Sequence, residues 1–209
     1  MDKTKMAVDV FNKRAGIYQD KFMDTGLYHD TFDLFCRNIK KENACILDIA
    51  CGPGNITKYL LSKRPDFKIL GIDLAPNMIA LAAINNPSAE FQIMDCRDIS
   101  TTGKKYDAIM CGFCLPYLSK EETEQLIKDV SALLNTNGVF YISTMEGDHS
   151  KSALKTSSSG DQIYQHFHEA GYLVKALEEN GFIIIDLRRK VYQGNDGATI
   201  TDLVIIAGK

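Results

Sequence analysis

Gly52 and Gly54 lie in the stretch Ile46-Leu-Asp-Ile-Ala-Cys-Gly-Pro-Gly-Asn55, four and six residues after the acid Asp48. A second acid, Asp73, closes the run Gly71-Ile-Asp73 about twenty residues further on. Glycine lets a backbone turn sharply and lets a ligand approach with no Cβ in the way. A carboxylate at the end of an apolar run can accept two hydrogen bonds from the hydroxyls of a ribose. The chemistry these residues point to is recognition of a cofactor built on a nucleoside. A dinucleotide fingerprint would carry a third glycine where Thr57 stands, and that glycine gives close helix–strand packing beside a bound pyrophosphate.

The elements that must position these residues are legible in the hydrophobic pattern. Strand-like apolar runs fall at 44–50, 67–73, 89–94, 106–112 and 138–145, and helical spacing at 55–63, 76–85 and 119–134. Ser119-Lys-Glu-Glu122 opens the last of these helices as a capping box. Strands alternating with helices predict a parallel sheet with helices on both faces. Residues 161–179 read as one helix stopped by Asn180-Gly181. Then 182–192 and 199–207 read as two strands joined at Gln193-Gly-Asn-Asp-Gly197, an antiparallel hairpin. A second dinucleotide-binding half would need a crossover helix there, which weighs against an NAD-dependent oxidoreductase. Two helical segments, 4–22 and 27–39, precede the first core strand, with one face at Val8, Phe11, Ala15 and Tyr18. The polar stretch 147–160 predicts either a lid over a substrate or a solvated connection.

Four motifs in order resemble the class I S-adenosylmethionine-dependent methyltransferases of small-molecule type. They are Asp48-x-x-x-Gly52-x-Gly54, Asp73 in Gly71-Ile-Asp-Leu-Ala-Pro-Asn-Met-Ile79, the run Met94-Asp95-Cys96-Arg97-Asp98-Ile99, and Tyr106-Asp107-Ala-Ile-Met-Cys-Gly-Phe113. The resemblance runs from residue 44 to the C-terminus. It implies an α/β fold: a seven-stranded Rossmann-like sheet, mostly parallel with a C-terminal antiparallel hairpin, helices on both faces and an N-terminal helical lid. One domain is expected over 1–209, divided into a cap (1–40) and a core (44–209).

The implied cofactor is S-adenosylmethionine, with S-adenosylhomocysteine as product. Ala50, Cys51 and Gly52 would line its methionine portion, and Gly54 would shape the turn. Asp48 would receive amino-group or water-mediated contacts, or else hold the turn backbone. Asp73 would bind the ribose, and Leu74 and Met78 would pack near the adenine. Asp95 would accept from the adenine amino group, or serve as a capping acid, with Cys96 and Arg97 offering backbone contacts. Cys111, Gly112 and Phe113 would sit beside the methyl-bearing end. Tyr18 or Phe22, and Tyr28 just past Gly26, would contact the cofactor from the cap.

Methyl transfer from a sulfonium is an in-line displacement with a neutral leaving group, so its chemistry calls for placement in a dry pocket more than for a metal or an acid. The candidates for a general base are His29, His149, His166, His168, Glu146 and Tyr117. His149 is the one selected, because it follows the fifth strand, where substrate should arrive. The Asn-Pro-Pro-Tyr signature of amino-group methylation is absent; Cys111-Gly-Phe-Cys-Leu-Pro116 stands in its place.

Composition bounds the reading. A chain of 209 residues with 45% apolar and 24% charged residues suits one globular domain. A net charge of −3 argues against broad binding to a phosphate backbone. A small-molecule acceptor is therefore expected, with an RNA or protein acceptor as the alternative, and a non-catalytic nucleoside-binding protein as a reading of another class. No run of 18 apolar residues is present and the first residues lack an apolar segment, so no membrane partner and a cytoplasmic location are expected. The six cysteines then read as reduced thiols, and no metal site is expected from their spacing.

Overall fold

The computed structural model describes residues 3–157, 160–194 and 197–209. Five parallel strands, β1 (Cys45–Ile49), β2 (Lys68–Asp73), β3 (Glu90–Ile93), β4 (Tyr106–Gly112) and β5 (Leu134–Met145), form the body of one sheet. The antiparallel pair β8 (Ile183–Gln193) and β9 (Thr199–Gly208) completes it, β9 beside β5, for a strand order of β3-β2-β1-β4-β5-β9-β8. The chain winds outward from β1 to β3, then returns to place β4 on the other flank of β1. Ligands of open α/β sheets bind beyond the carboxyl ends of the strands at such a switch point.

The central strands are buried on both faces, so they read as apolar runs rather than alternating ones. One face carries Leu47, Ile49, Ile109 and Phe140 under α6 (Lys120–Leu133) and α7 (Ala170–Glu179). The other carries Ile46, Met110 and Tyr141 under α3 (His29–Asn38) and α4 (Asn55–Lys63). The Ser119 capping box forms in both directions, Ser119 with the Glu122 N–H and Glu122 with the Ser119 N–H. The N-terminal segment breaks at Arg14 into α1 (Lys3–Lys13) and α2 (Ala15–Phe22). Their shared face of Val8, Phe11, Ala15 and Tyr18 packs on Ala75, Met78 and Leu81 of α5 (Pro76–Asn85) and the turn before it.

One expectation is corrected. The stretch 161–179 is not one helix. Gln162–Gln165 forms β7, antiparallel to β6 (Ala153–Thr156), and the helix begins only at Ala170. The pairing of Ile163 and Tyr164 with Lys155 and Leu154 satisfies backbone groups that a helix would otherwise have satisfied locally. The polar stretch 147–160 correspondingly supplies a 3₁₀ turn at His149–Lys151 and strand β6, with Ser158 and Ser159 outside the described residues. The tip of the terminal hairpin, Asn195-Asp196, also lies outside them. Among the described residues no helix is long and apolar enough to cross a membrane.

Candidate functional site

The turn from β1 into α4 passes through left-handed backbone at Ala50 (φ 55°), Gly52 (φ 54°) and Gly54 (φ 77°). The Cys51 N–H donates to the Ile72 carbonyl at 3.0 Å and the Gly54 N–H to the Cys51 carbonyl at 3.0 Å, which pins the turn to β2. A Cβ on Gly54 would overlap the Asn86 side-chain amide and crowd Ala82, so this glycine lets α4 start against α5. Phe113, at the end of β4, is a second non-glycine residue in the left-handed region (φ 56°). Its N–H is held by the Ser143 carbonyl at 3.2 Å and by Ser143 Oγ at 3.1 Å. Such backbone costs on the order of 1–3 kcal/mol per residue and concentrates at functional sites. Ala50 and Phe113 both face the same cleft.

That cleft is a narrow space of about 100 Å³ between the strand ends and the N-terminal helices. Asp73 is its acid. Oδ2 accepts from the Gly52 N–H at 3.0 Å and Oδ1 from the Ala75 N–H at 2.8 Å. One backbone donor per oxygen orients the carboxylate and leaves each oxygen a further lone pair. Burial pushes its pKa up, against the pull of those backbone donors. Leu74, Ala75 and Met78 form one wall, and Met94, Cys96, Cys114 and Leu118 also line the cleft. Ala50, Gly52, Gly112 and Phe113 line it at the strand ends.

The roof comes from the N-terminal helices: Thr4, Ala7, Val8 and Phe11 of α1 and Tyr18 of α2. Phe11 meets Tyr18 edge-on at 5.6 Å and Tyr117 at 5.0 Å. Burial, with the Asp73 charge adding, pushes the Tyr18 phenol up to about 12, so it stays neutral at ordinary pH. Tyr117 and Cys114 reach the cleft because the chain turns through a 3₁₀ segment, Leu115–Tyr117, just after β4. Among the lining residues, the sequence reading missed Thr4, Ala7, Val8, Phe11, Ala75, Met94, Cys114 and Leu118 as site residues. The apolar periodicity of α1 was the available signal for its face, but not for which side of the cleft it covers.

Of the expected cofactor contacts, Tyr18, Ala50, Gly52, Asp73, Leu74, Met78, Cys96, Gly112 and Phe113 are brought together around this cleft. Others stand behind it. Asp48 is 1% exposed and accepts from Thr57 Oγ1 at 2.6 Å, so it ties the turn to α4; burial pushes its pKa up to about 7. Asp95 is a capping acid. It accepts from the Arg97 N–H at 2.9 Å and forms an ion pair with the Arg97 guanidinium at 2.6 Å. Burial works against its charge, yet these Arg97 contacts hold its carboxyl below the usual range. Arg97 also reaches Glu122 of α6 at 3.1 Å.

Cys51 and Cys111 are buried free thiols. Cys96 and Cys114 sit with their sulfurs 3.7 Å apart. Tyr28 donates to Asp202 Oδ2 at 2.5 Å, and its ring meets Phe113 edge-on at 5.3 Å, one layer behind the cleft.

His149 is exposed, with Nδ1 3.3 Å from the Phe167 carbonyl and its ring 5.9 Å from that of His166. The fold thus sets it on the 3₁₀ turn after β5 and not on the lining of the cleft. His168 is fully buried, its Nε2 2.8 Å from the Leu115 carbonyl and its Nδ1 paired with the Tyr172 hydroxyl. Since a carbonyl only accepts, Nε2 carries the proton and Nδ1 accepts from Tyr172. Burial pushes the His168 pKa down to about 4. Glu146 is paired with Arg189 at 2.6 Å. Among the described residues no group of three His, Cys, Asp or Glu side chains is placed to hold a metal ion.

Residues 46–138, from β1 into β5, match a family model described as a methyltransferase domain. The trans-aconitate 2-methyltransferase of Variovorax paradoxus is 32% identical over 110 residues, which cover 53% of this chain and 42% of that protein. The chain spans about two fifths of the length of the curated relatives it matches. Among solved structures, an S-adenosylmethionine-dependent methyltransferase from Methanosarcina mazei superposes with a TM-score of 0.69 at 25% identity, over 83% of this chain and 95% of that one. The fold is also that of a Burkholderia thailandensis 1,6-didemethyltoxoflavin-N1-methyltransferase, solved with its acceptor and S-adenosylhomocysteine bound (TM-score 0.73, 21% identity, 98% and 88% of the two chains). By its domain match over residues 46–138 and by its fold, the chain is similar to the class I S-adenosylmethionine-dependent methyltransferases.

Proposed function

We propose that the chain binds S-adenosylmethionine in the cleft at the β1–β4 switch point and methylates a small-molecule acceptor through an oxygen, nitrogen or carbon nucleophile. The observation that carries this reading is Asp73. Its two oxygens are each oriented by a backbone N–H of the surrounding turns, and the residue lines a cleft with otherwise apolar walls. The cleft suits the group on two counts: the left-handed Gly52 backbone that leaves no Cβ over the turn, and an acid set for paired hydroxyls.

When bound, the cofactor supplies an electrophilic methyl on a cationic sulfur that leaves as a neutral thioether. The chain's own residues bind and orient. Asp73 would take the ribose hydroxyls, and Leu74, Met78 and Cys96 would enclose the adenine. Ala50, Gly52, Gly112 and Phe113 would flank the methionine end. Phe11, Tyr18 and Tyr117 would exclude water from above, which strengthens each remaining electrostatic contact. Asp48 and Asp95 would act behind these residues, by holding the turn and the 3₁₀ segment on which they stand.

A small acceptor is supported by the lining itself, which carries no Lys or Arg among the described residues and so offers no cation to a phosphate backbone. Relatives named for trans-aconitate and didemethyltoxoflavin methylation point the same way. We take 1–209 as one domain in which residues 1–40 cap the core, because α1 and α2 supply walls of the core's own cleft.

Thermal unfolding with S-adenosylhomocysteine, S-adenosylmethionine and NAD in parallel tests the reading. Ligand at about 100 times its dissociation constant stabilises by about 2.7 kcal/mol, which in a chain of this size raises the midpoint by roughly 5–10 °C. A rise with the two adenosyl-sulfur ligands alone is expected. A rise with NAD alone, or with none of the three, overturns the assignment.

A further inference from the structure

Helix α1 roofs the cleft with little apolar support of its own: of its residues only Ala7 is buried. It is held on two sides by polar contacts. Toward the core, the Asn77 N–H donates to Asn12 Oδ1 at 2.8 Å and the Asn77 side-chain amide donates to the Asn12 carbonyl at 2.8 Å. Toward the β6–β7 hairpin, the Lys3 ammonium lies 3.5 Å from the Tyr164 ring centre. At the other end of α1, Asp161 takes both cations of the α1–α2 elbow, Lys13 at 2.9 Å through Oδ1 and Arg14 at 2.8 Å through Oδ2. The Asp161 side chain is only 13% exposed. Its main chain is fixed by Ser157, whose N–H donates to the Asp161 carbonyl at 2.8 Å and whose Oγ accepts from the Asp161 N–H at 3.1 Å.

The hairpin also grips the opposite wall. The His166 N–H, just past β7, donates to the Pro116 carbonyl at 2.8 Å, and the adjoining Tyr117 and Leu118 line the cleft. One small sheet thus touches the roof and the wall of the site at once.

We propose that Asp161 is a positioning residue. From the β6–β7 hairpin it holds α1 closed over the cleft and so sets how long the cofactor stays bound, an inference that rests on the cofactor reading above. A carboxylate bridging two cations at a bend fixes the angle between α1 and α2, and with it the positions of Phe11 and Tyr18. Ion pairs at a partly exposed site are individually weak and screened by salt. The expected effect is therefore kinetic and modest, on a lid that must open for exchange.

The test measures hydrogen exchange of residues 3–13 in the ligand-free protein and the off-rate of S-adenosylhomocysteine, for wild type, Asp161→Asn and Asp161→Glu. Asp161→Asn should speed exchange in α1 while leaving β1 and β4 unchanged, and should raise the off-rate by roughly three- to tenfold. Asp161→Glu should restore much of both, and high salt should bring wild type toward the Asn variant while moving the variant little. An Arg14→Gln variant removes one of the two ion pairs from the other side and should move both readouts in the same direction as Asp161→Asn, by less. Unchanged exchange in α1 at low salt overturns the proposal. If wild type binds no S-adenosylhomocysteine, the cofactor reading falls, and the exchange measurement still decides the role of Asp161.

Discussion

Asp73 and Asp48 are two carboxylates at the ends of neighbouring strands with opposite tasks. The Asp73 carboxylate faces the cleft with lone pairs to spare, whereas Asp48 is sealed beneath the turn against Thr57. Replacing Asp73 with Asn keeps the shape and one acceptor but removes the charge and swaps the other oxygen for a donor. Hydrogen bonds to a charged group contribute about 1.5–3 kcal/mol, so Asp73→Asn should weaken S-adenosylhomocysteine binding on the order of 10- to 100-fold. Calorimetric titration checks it; unchanged affinity in a folded variant removes Asp73 from the ribose role. Both acids were legible as candidates, because a carboxylate at a strand end announces itself, and Asp73 was the one expected at a ribose. Which of its two expected roles Asp48 takes was not legible, since that depends on the turn geometry that seals it against Thr57.

At the scale of elements, the β1–turn–α4 unit works because Gly54 lets α4 begin in contact with α5, where Asn86 donates to the Gly54 carbonyl at 2.9 Å. Gly54→Ala imposes a side chain on left-handed backbone and overlaps Asn86. A cost of roughly 2–4 kcal/mol follows, a drop of about 5–15 °C in the unfolding midpoint. Differential scanning calorimetry reads it directly, and a drop below about 2 °C would mean that the two helices separate easily. The helix-to-hairpin error at 161–179 belongs to this scale too. Helical spacing is real from Ala170 onward, but Gln162–Gln165 takes its form from β6, a partner not visible in its own residues.

For the whole molecule, the two apolar layers lie on opposite faces of one sheet and share its strands. Unfolding should therefore proceed as one calorimetric transition, with a pH dependence set by buried groups. Asp48 titrates near 7 in the folded state against an ordinary value of 3.8. The folded state holds that proton more tightly than the unfolded chain, so this group's contribution to stability falls as pH rises from about 4 to 7. His168 runs the other way, from 6.5 down to about 4, so its contribution falls as pH drops through that window. The two oppose each other between about pH 4 and 6.5, and a variant separates them. The midpoint of Asp48→Asn minus that of wild type should rise by roughly 5 °C or more between pH 5 and pH 8. A difference that stays flat with pH means Asp48 is ionised throughout.

The sequence by itself determined the seven strands, their terminal hairpin, the Ser119 cap and an acid at the end of the second strand. Each of these is written in local period or in a few adjacent residues, such as the Gly52-x-Gly54 turn and Asp73. Only the tertiary structure decided which residues enclose the cleft. Thr4 and Ala7 become its roof, and Tyr117 part of its wall, through helix docking and a 3₁₀ turn set by contacts far away in the chain. Asp161, an unremarkable acid in a polar stretch, meets Lys13 and Arg14 across nearly 150 residues. Local pattern encodes how a segment folds and which groups it carries; what those groups meet is settled when segments pack against one another.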